Sequence, residues 1–172
     1  MHVIILHNII LPPFLFISAL ATIVIKELSG TDSAQLGTNT TTIKCDYDYQ
    51  NETGVEVKWF YNDSVQIFLW VPNLNKPQPM GPFSSILDVN NNSIRFKEMT
   101  RNLTGYYTCK VSSDDNEEFK TEIMIAYQPP IKVEFFPEDT SETVICSAYE
   151  LYPIPTITIV GNLQSERFVQ LK

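Results

Sequence analysis

Three cysteines, three pairs of close acids and five Asn-x-Ser/Thr triplets are the groups in this 172-residue chain that could do chemistry. Cys45 and Cys109 can close a disulfide, which leaves Cys146 over. Asp46-x-Asp48, Asp114-Asp115 and Glu117-Glu118 have the spacing of a calcium loop fragment or of a glycosidase acid pair. The plainer reading is solvated loops that add negative charge. His2 and His7 are the only imidazoles, and both lie in the apolar start of the chain. Beyond that start no His-based triad, histidine general base or histidine zinc ligand can be assembled. There is no GxSxG turn and no phosphate-binding glycine loop. The chain therefore reads as a non-enzyme, with no catalytic residue, no metal and no cofactor expected.

The start of the chain bears on compartment. Val3–Leu6 and Ile9–Leu20 are largely apolar, and Ala19-Leu20-Ala21 has the small-x-small form of a signal-peptide cleavage site. Residues 1–21 are read as a signal peptide cut after Ala21. The alternative is an uncleaved anchor, because Val3–Ile25 is about long enough to span a bilayer. Pro12, Pro13 and Asn8 suit that reading less well. The triplets beginning at Asn39, Asn51, Asn62, Asn91 and Asn102 predict N-glycosylated, exposed turns in a secreted protein. Formal net charge is −8, with every Lys, Arg, Asp and Glu at or after Lys26. That acidity argues against nucleic acid as a partner.

The elements that must position these groups are strands. Thr22–Leu28, Thr40–Cys45, Val55–Trp59, Val65–Val71, Ile86–Val89, Ile94–Met99, Gly105–Val111 and Phe119–Tyr127 are β-branched, aromatic or alternating, and turn residues separate them. Ser29–Thr38 and the proline-rich Asn73–Phe83 read as loops. Cys45 and Cys109 are 64 residues apart, with Trp59 between them and Tyr107 two residues before the second cysteine. This is the pattern of an immunoglobulin-type sandwich: a disulfide between facing sheets, a tryptophan on it and a tyrosine corner. The fold class is all-β, with a variable-type immunoglobulin domain over 22–127. A bridge closing such a loop stabilises by roughly 4 kcal/mol in the chain-entropy model.

A second start follows a short linker, 128–130. Ile131–Phe136 and Thr143–Cys146 read as strands, and Cys146 to Pro155 resembles the B strand and B–C turn of another immunoglobulin domain. No later cysteine can pair with Cys146, and Ile157 and Ile159 stand nearest the place of a core tryptophan. Residues 131–172 are read as a partial second domain. Truncation is the favoured explanation, against a free or interchain Cys146.

Binding must then come from a surface. Val65-Gln-Ile-Phe-Leu-Trp-Val71 is apolar on both sides of an alternating strand, whereas a two-sheet sandwich covers only one side. Strand parity puts Lys58 and Phe60 opposite to Val57 and Trp59, and Lys110 opposite to Tyr107 and Cys109. The expected partner-binding face is Lys58, Phe60, Phe68, Trp70 and Lys110, aromatics rimmed by lysine. The competing expectation is that the loop Pro72–Pro82 folds back over the extra apolar side. None of the five triplets falls in the strands of this sheet, which leaves it free of glycan.

Lys44-Cys-Asp-Tyr-Asp48, Val57-Lys-Trp-Phe60, the Val71-Pro72 strand end, the proline-rich loop and Thr104-Gly-Tyr-Tyr-Thr-Cys109 with Lys110-Val-Ser112 resemble the first domain of the beaten path family. These are arthropod neuronal immunoglobulin proteins, and the resemblance covers about residues 22–127. It implies a secreted or membrane-tethered recognition protein that binds sidestep-like immunoglobulin-superfamily receptors in axon guidance or synaptic partner choice. The contact would lie on the outer sheet of the first domain. A homodimer is left open. Leu103 departs from the family pattern, standing where variable-type domains usually carry Asp, so the corner is expected to lack carboxylate hydrogen bonds. Two other readings compete. One is an immune-type ectodomain similar to the butyrophilin group, which shares the Cys-x-Ala-x-x-x-Tyr-Pro-x-Pro stretch at 146–155. The other is a structural secreted glycoprotein.

Overall fold

A computed structural model describes residues 22–30, 32–38, 41–137 and 144–156. The signal peptide expected at 1–21, Asn39, Ile157 and Ile159 lie outside the described residues. The strands are β1 Val24–Ser29, β2 Ser33–Gln35, β3 Thr41–Asp48, β4 Glu56–Tyr61, β5 Val65–Trp70, β6 Gln78–Pro79, β7 Leu87–Asn90, β8 Ser93–Phe96, β9 Gly105–Ser112, β10 Glu117–Tyr127, β11 Lys132–Pro137 and β12 Val144–Tyr149. Short 3-10 turns occupy Gly81–Phe83 and Arg101–Leu103.

Two sheets face each other. One has the order β1-β3-β8-β7 and the other β2-β10-β9-β4-β5-β6. Alternation decides which side chains enter the space between them. On β3, Thr41, Ile43 and Cys45 are buried while Lys44 and Asp46 are exposed. On β4, Val57 and Trp59 are buried, and on β9, Tyr107, Cys109 and Val111. This period of two is what a half-covered strand shows. Cys45 and Cys109 form a disulfide across the gap, with Cα atoms 6.4 Å apart. Trp59 lies directly opposite Cys109 in the β4–β9 register, so the indole is set beside the bridge by strand pairing.

The tyrosine corner closes without a carboxylate. The Tyr107 hydroxyl donates to the Leu103 backbone carbonyl at 2.7 Å. Leu103 has no exposed surface and adds apolar packing where the family pattern has Asp. The Tyr107 bond does not depend on the side chain at 103, because its acceptor is main chain.

β2 is the element hidden in the turn-rich stretch. It runs parallel to β10 and sets Ala34 opposite Ala126. The proline-rich segment contributes β6, which pairs with β5 so that Pro79 faces Phe68. A proline is tolerated there because β6 is the sheet's edge. Phe83 then turns in against Tyr61 and Phe96, with ring centroids 5.0 and 6.4 Å away.

Past the sandwich, β11 and β12 pair antiparallel with Cys146 opposite Phe135. Cys146 is free and half-buried, beside an apolar hollow that Val133, Phe135 and Ala148 also line. Gln128 and Tyr152 exchange two backbone hydrogen bonds, at 2.8 and 3.1 Å. The Arg101 guanidinium lies 4.9 Å over the Tyr152 ring and ties this pair of strands to the sandwich.

Candidate recognition face

The apolar strand β5 resolves into a bulge. Trp59 pairs with Phe68 and Phe60 pairs with Gln66, so Ile67 is an extra residue in the β4–β5 ladder. A bulge lets two consecutive side chains point to one face. Ile67 and Phe68 both do so, and neither has exposed surface. Beyond the bulge, Trp70 pairs with the buried Val57 and packs against the core, its indole N–H donating to the Asn75 carbonyl at 3.2 Å. Phe68 and Trp70 therefore belong to the inner side of the sheet, which corrects the expectation that they present to a partner. Simple alternation failed here because it counts no inserted residue.

The outer side of the six-stranded sheet carries the complementary set. Lys58, Phe60 and Lys110 lie on it as parity required. Leu69 joins them, opposite Lys58. Phe119 lies opposite Lys110, Thr121 opposite Thr108 and Ile123 opposite Tyr106. Phe119 is 62% exposed, Tyr106 52% and Ile123 41%, while Phe60 and Leu69 are half-buried. Leu69, Tyr106, Phe119 and Ile123 were missed from sequence, although parity carried two residues back from Thr108 reaches Tyr106. The proline-rich segment forms the edge of the sheet through β6, and its Asn75 meets Trp70 on the inner side.

Charge on this face is balanced locally. Lys58 and Lys110 are directly opposite each other on β4 and β9, an arrangement of like charges that repels by itself. Each is tied to its own carboxylate: Lys58 to Glu56, and Lys110 to Glu117 at 2.7 Å. The Thr108 and Thr121 hydroxyls hydrogen-bond at 2.8 Å. The result is an apolar strip over four strands, with neutralised ion pairs among the apolar groups, on a chain of net charge −8.

The acid pairs have structural work. Asp48 accepts the Gln50 N–H at 2.9 Å. Asp114 accepts from the Thr53 hydroxyl at 2.9 Å, and Glu52 accepts from both the Ser113 hydroxyl and the Asn116 amide at 2.8 Å. The last three bonds join the β3–β4 loop to the β9–β10 loop at one end of the sandwich. Two tyrosines are perturbed. Burial, with nearby Tyr61 adding, pushes the Tyr107 hydroxyl pKa well above the ordinary value, and burial with Tyr49 does the same to Tyr47. Asn51, Asn62, Asn91 and Asn102 are all exposed and all lie outside the outer face, in the β3–β4, β4–β5 and β7–β8 turns and the Arg101–Leu103 turn.

A family model described as Immunoglobulin V-set domain matches residues 29–126, more than half of the chain, and the chain belongs to that family. The match reaches the V-set family and no narrower group. No curated protein matches. Among solved structures, the amphioxus IgVJ-C2 molecule is similar at 16% identity and a TM-score of 0.49, over 70% of this chain and 71% of that one. A V-set domain is a recognition and adhesion type of module, of a fold that typically has no enzymatic role. Among the described residues no helix is long and apolar enough to cross a membrane.

Proposed function

We propose that this chain is an extracellular recognition module that binds an immunoglobulin-superfamily cell-surface protein through the outer side of its six-stranded sheet. The observation that carries the reading is the strip of Phe60, Leu69, Tyr106, Phe119 and Ile123 across β4, β5, β9 and β10. Aromatic and aliphatic side chains gathered on one sheet face, three of them exposed and interleaved with Lys58, Lys110, Thr108 and Thr121, have the composition of an interface. Local pairing of both lysines supports the same reading, since a partner can cover them without stranding an unpaired charge. The four described glycosylation triplets sit at turns, so glycans at those positions leave the strip's centre open to a protein.

The resemblance to the beaten path family makes the partner a sidestep-like receptor and the setting axon guidance or synaptic partner choice. The test is a cell-surface binding assay of the secreted chain against sidestep-type ectodomains. Binding that Phe119→Glu abolishes supports the proposal. Absence of binding to any such ectodomain removes the sidestep-like partner, and binding unaffected by Phe119→Glu removes the face. Self-association in sedimentation without receptor binding would replace the receptor by a second copy of the chain.

A further inference from the structure

One side chain at the β4–β5 turn has its amide oriented by the fold. Asn62 is exposed and left-handed, at φ 46°. Its backbone N–H donates to the Tyr106 carbonyl at 2.9 Å, and its Oδ1 accepts the Tyr106 N–H at 3.0 Å. The side chain thus stands where the next main-chain carbonyl of β4 would stand and adds one rung to the β4–β9 ladder. Only an oxygen can meet a backbone N–H, so this planar amide cannot be flipped. Gly105 permits the approach, since a Cβ there would lie 2.5 Å from Asn62 Oδ1. With Oδ1 turned in, Nδ2 occupies the other arm of the amide and makes no hydrogen bond to a described residue. Asp63 is also left-handed, and Ser64 N–H returns to the Asn62 carbonyl at 2.8 Å, which holds the whole triplet in an exposed turn. The amides of Asn51, Asn91 and Asn102 have no comparable bond among the described residues.

We infer that Asn62 carries an N-linked oligosaccharide in the folded protein and that this glycan stands over the Tyr106 end of the outer face. Asn62-Asp63-Ser64 is the acceptor triplet. In the transfer, Nδ2 bonds to C1 of the sugar, the C1–O bond to a lipid diphosphate carrier breaks, the diphosphate leaves with the bonding pair, and Nδ2 gives up one of its two protons. The product keeps the Oδ1 lone pairs, so the rung to Tyr106 survives modification. Tyr106 is the neighbour of Asn62 through both hydrogen bonds, and its side chain lies on the outer face opposite Ile123. Phe119 pairs with Lys110, four residues further along β9, about 13 Å away at the strand rise. The glycan therefore shields one end of the strip and leaves the Phe119 end accessible.

The experiment needs no partner, so its failure is separate from failure of the proposed docking. The full chain is secreted from cultured eukaryotic cells, treated with peptide-N-glycosidase in oxygen-18 water and mapped by mass spectrometry. Asn62 is expected to convert to isotope-marked Asp, and Ser64→Ala to lose that mark with an unchanged Tm. Hydroxyl-radical footprinting then reads the shield: Tyr106 oxidation rises in Ser64→Ala while Phe119 oxidation stays constant. Asn62→Ala, which removes the rung as well, lowers the Tm. An unmarked Asn62 in the secreted chain overturns the modification. Equal Tyr106 oxidation with and without the glycan overturns the shield, and an Asn62→Ala protein as stable as Ser64→Ala overturns the rung.

Discussion

Truncating β5 one residue at a time tests the bulge, on which the identity of the outer face depends. Ile67 and Phe68 have no exposed surface, whereas Gln66 and Leu69 are half-buried on the other side. Removal of a buried aromatic leaves both a transfer loss and a cavity, so Phe68→Ala should cost about 3–5 kcal/mol and Ile67→Ala about 2–5 kcal/mol. Leu69→Ala loses only part of the ~2 kcal/mol that full burial of a leucine gives, so about 1 kcal/mol is expected. For a sandwich of roughly 100 residues each kcal/mol moves the Tm by about 4–8 °C. Phe68→Ala should therefore melt at least about 12 °C below the parent and Leu69→Ala about 4–8 °C below. The assay is thermal and urea denaturation of the oxidised chain followed by circular dichroism, with equal urea slopes confirming an unchanged unfolded reference. Two consecutive costly positions are the signature of the inserted residue. An alternating profile, with Ile67→Ala and Leu69→Ala severe and Phe68→Ala mild, would refute the register and return Phe68 to the surface.

Three further outcomes follow from the same structure. The Tyr107 and Tyr47 pKa values are raised on folding, so above about pH 10 the unfolded chain has lost protons that the folded chain keeps, and stability falls as pH rises. Absorbance at 295 nm should show these two of the eight tyrosines ionising only with unfolding, and Tyr107→Phe should lower the Tm by the worth of one buried hydrogen bond, about 1 kcal/mol. Two phenols that titrate normally in the native state would contradict this. Gly54 sits at φ 64° with the Asp114 carboxylate where a Cβ would be, so Gly54→Ala should cost more than about 1 kcal/mol, and adding Asp114→Ala should recover only the steric part. Replacing Cys45 and Cys109 together by Ala should remove roughly 4 kcal/mol and strongly reduce secretion. Secretion and melting like the parent would refute that estimate.

The core of the sandwich was legible because its signals are local and periodic. Cys45, Trp59, Tyr107 and Cys109 state their own spacing, and the alternation in β3, β4 and β9 says which residues turn inward. Leu103 raised the expectation of a corner without carboxylate hydrogen bonds, and the Tyr107 hydroxyl bonds instead to a main-chain carbonyl that every residue carries. β2 was illegible for a different reason. It has three residues, two of them polar, and exists because β10 offers a free edge. The same blindness to long-range pairing misplaced Phe68 and Trp70. Nothing in Val65–Val71 announces that one residue is extra; the count is set by β4 across the ladder. Lys58, Phe60 and Lys110 are the outer-face residues that sequence assigned; Leu69 follows from the β4–β5 register and Tyr106, Phe119 and Ile123 from the β9–β10 register.

The central claim, recognition through the outer side of the six-stranded sheet, meets its most direct test in the binding of three proteins to a sidestep-type ectodomain. These are the parent chain, Phe119→Glu and Lys44→Glu. Phe119 lies within the strip, while Lys44 is exposed on β3 of the opposite sheet. Phe119→Glu is expected to weaken binding at least about 30-fold, the scale of a 2 kcal/mol hot spot, with little change in Tm, and Lys44→Glu to bind like the parent. Parent-like binding by Phe119→Glu, or a loss confined to Lys44→Glu, would contradict the account.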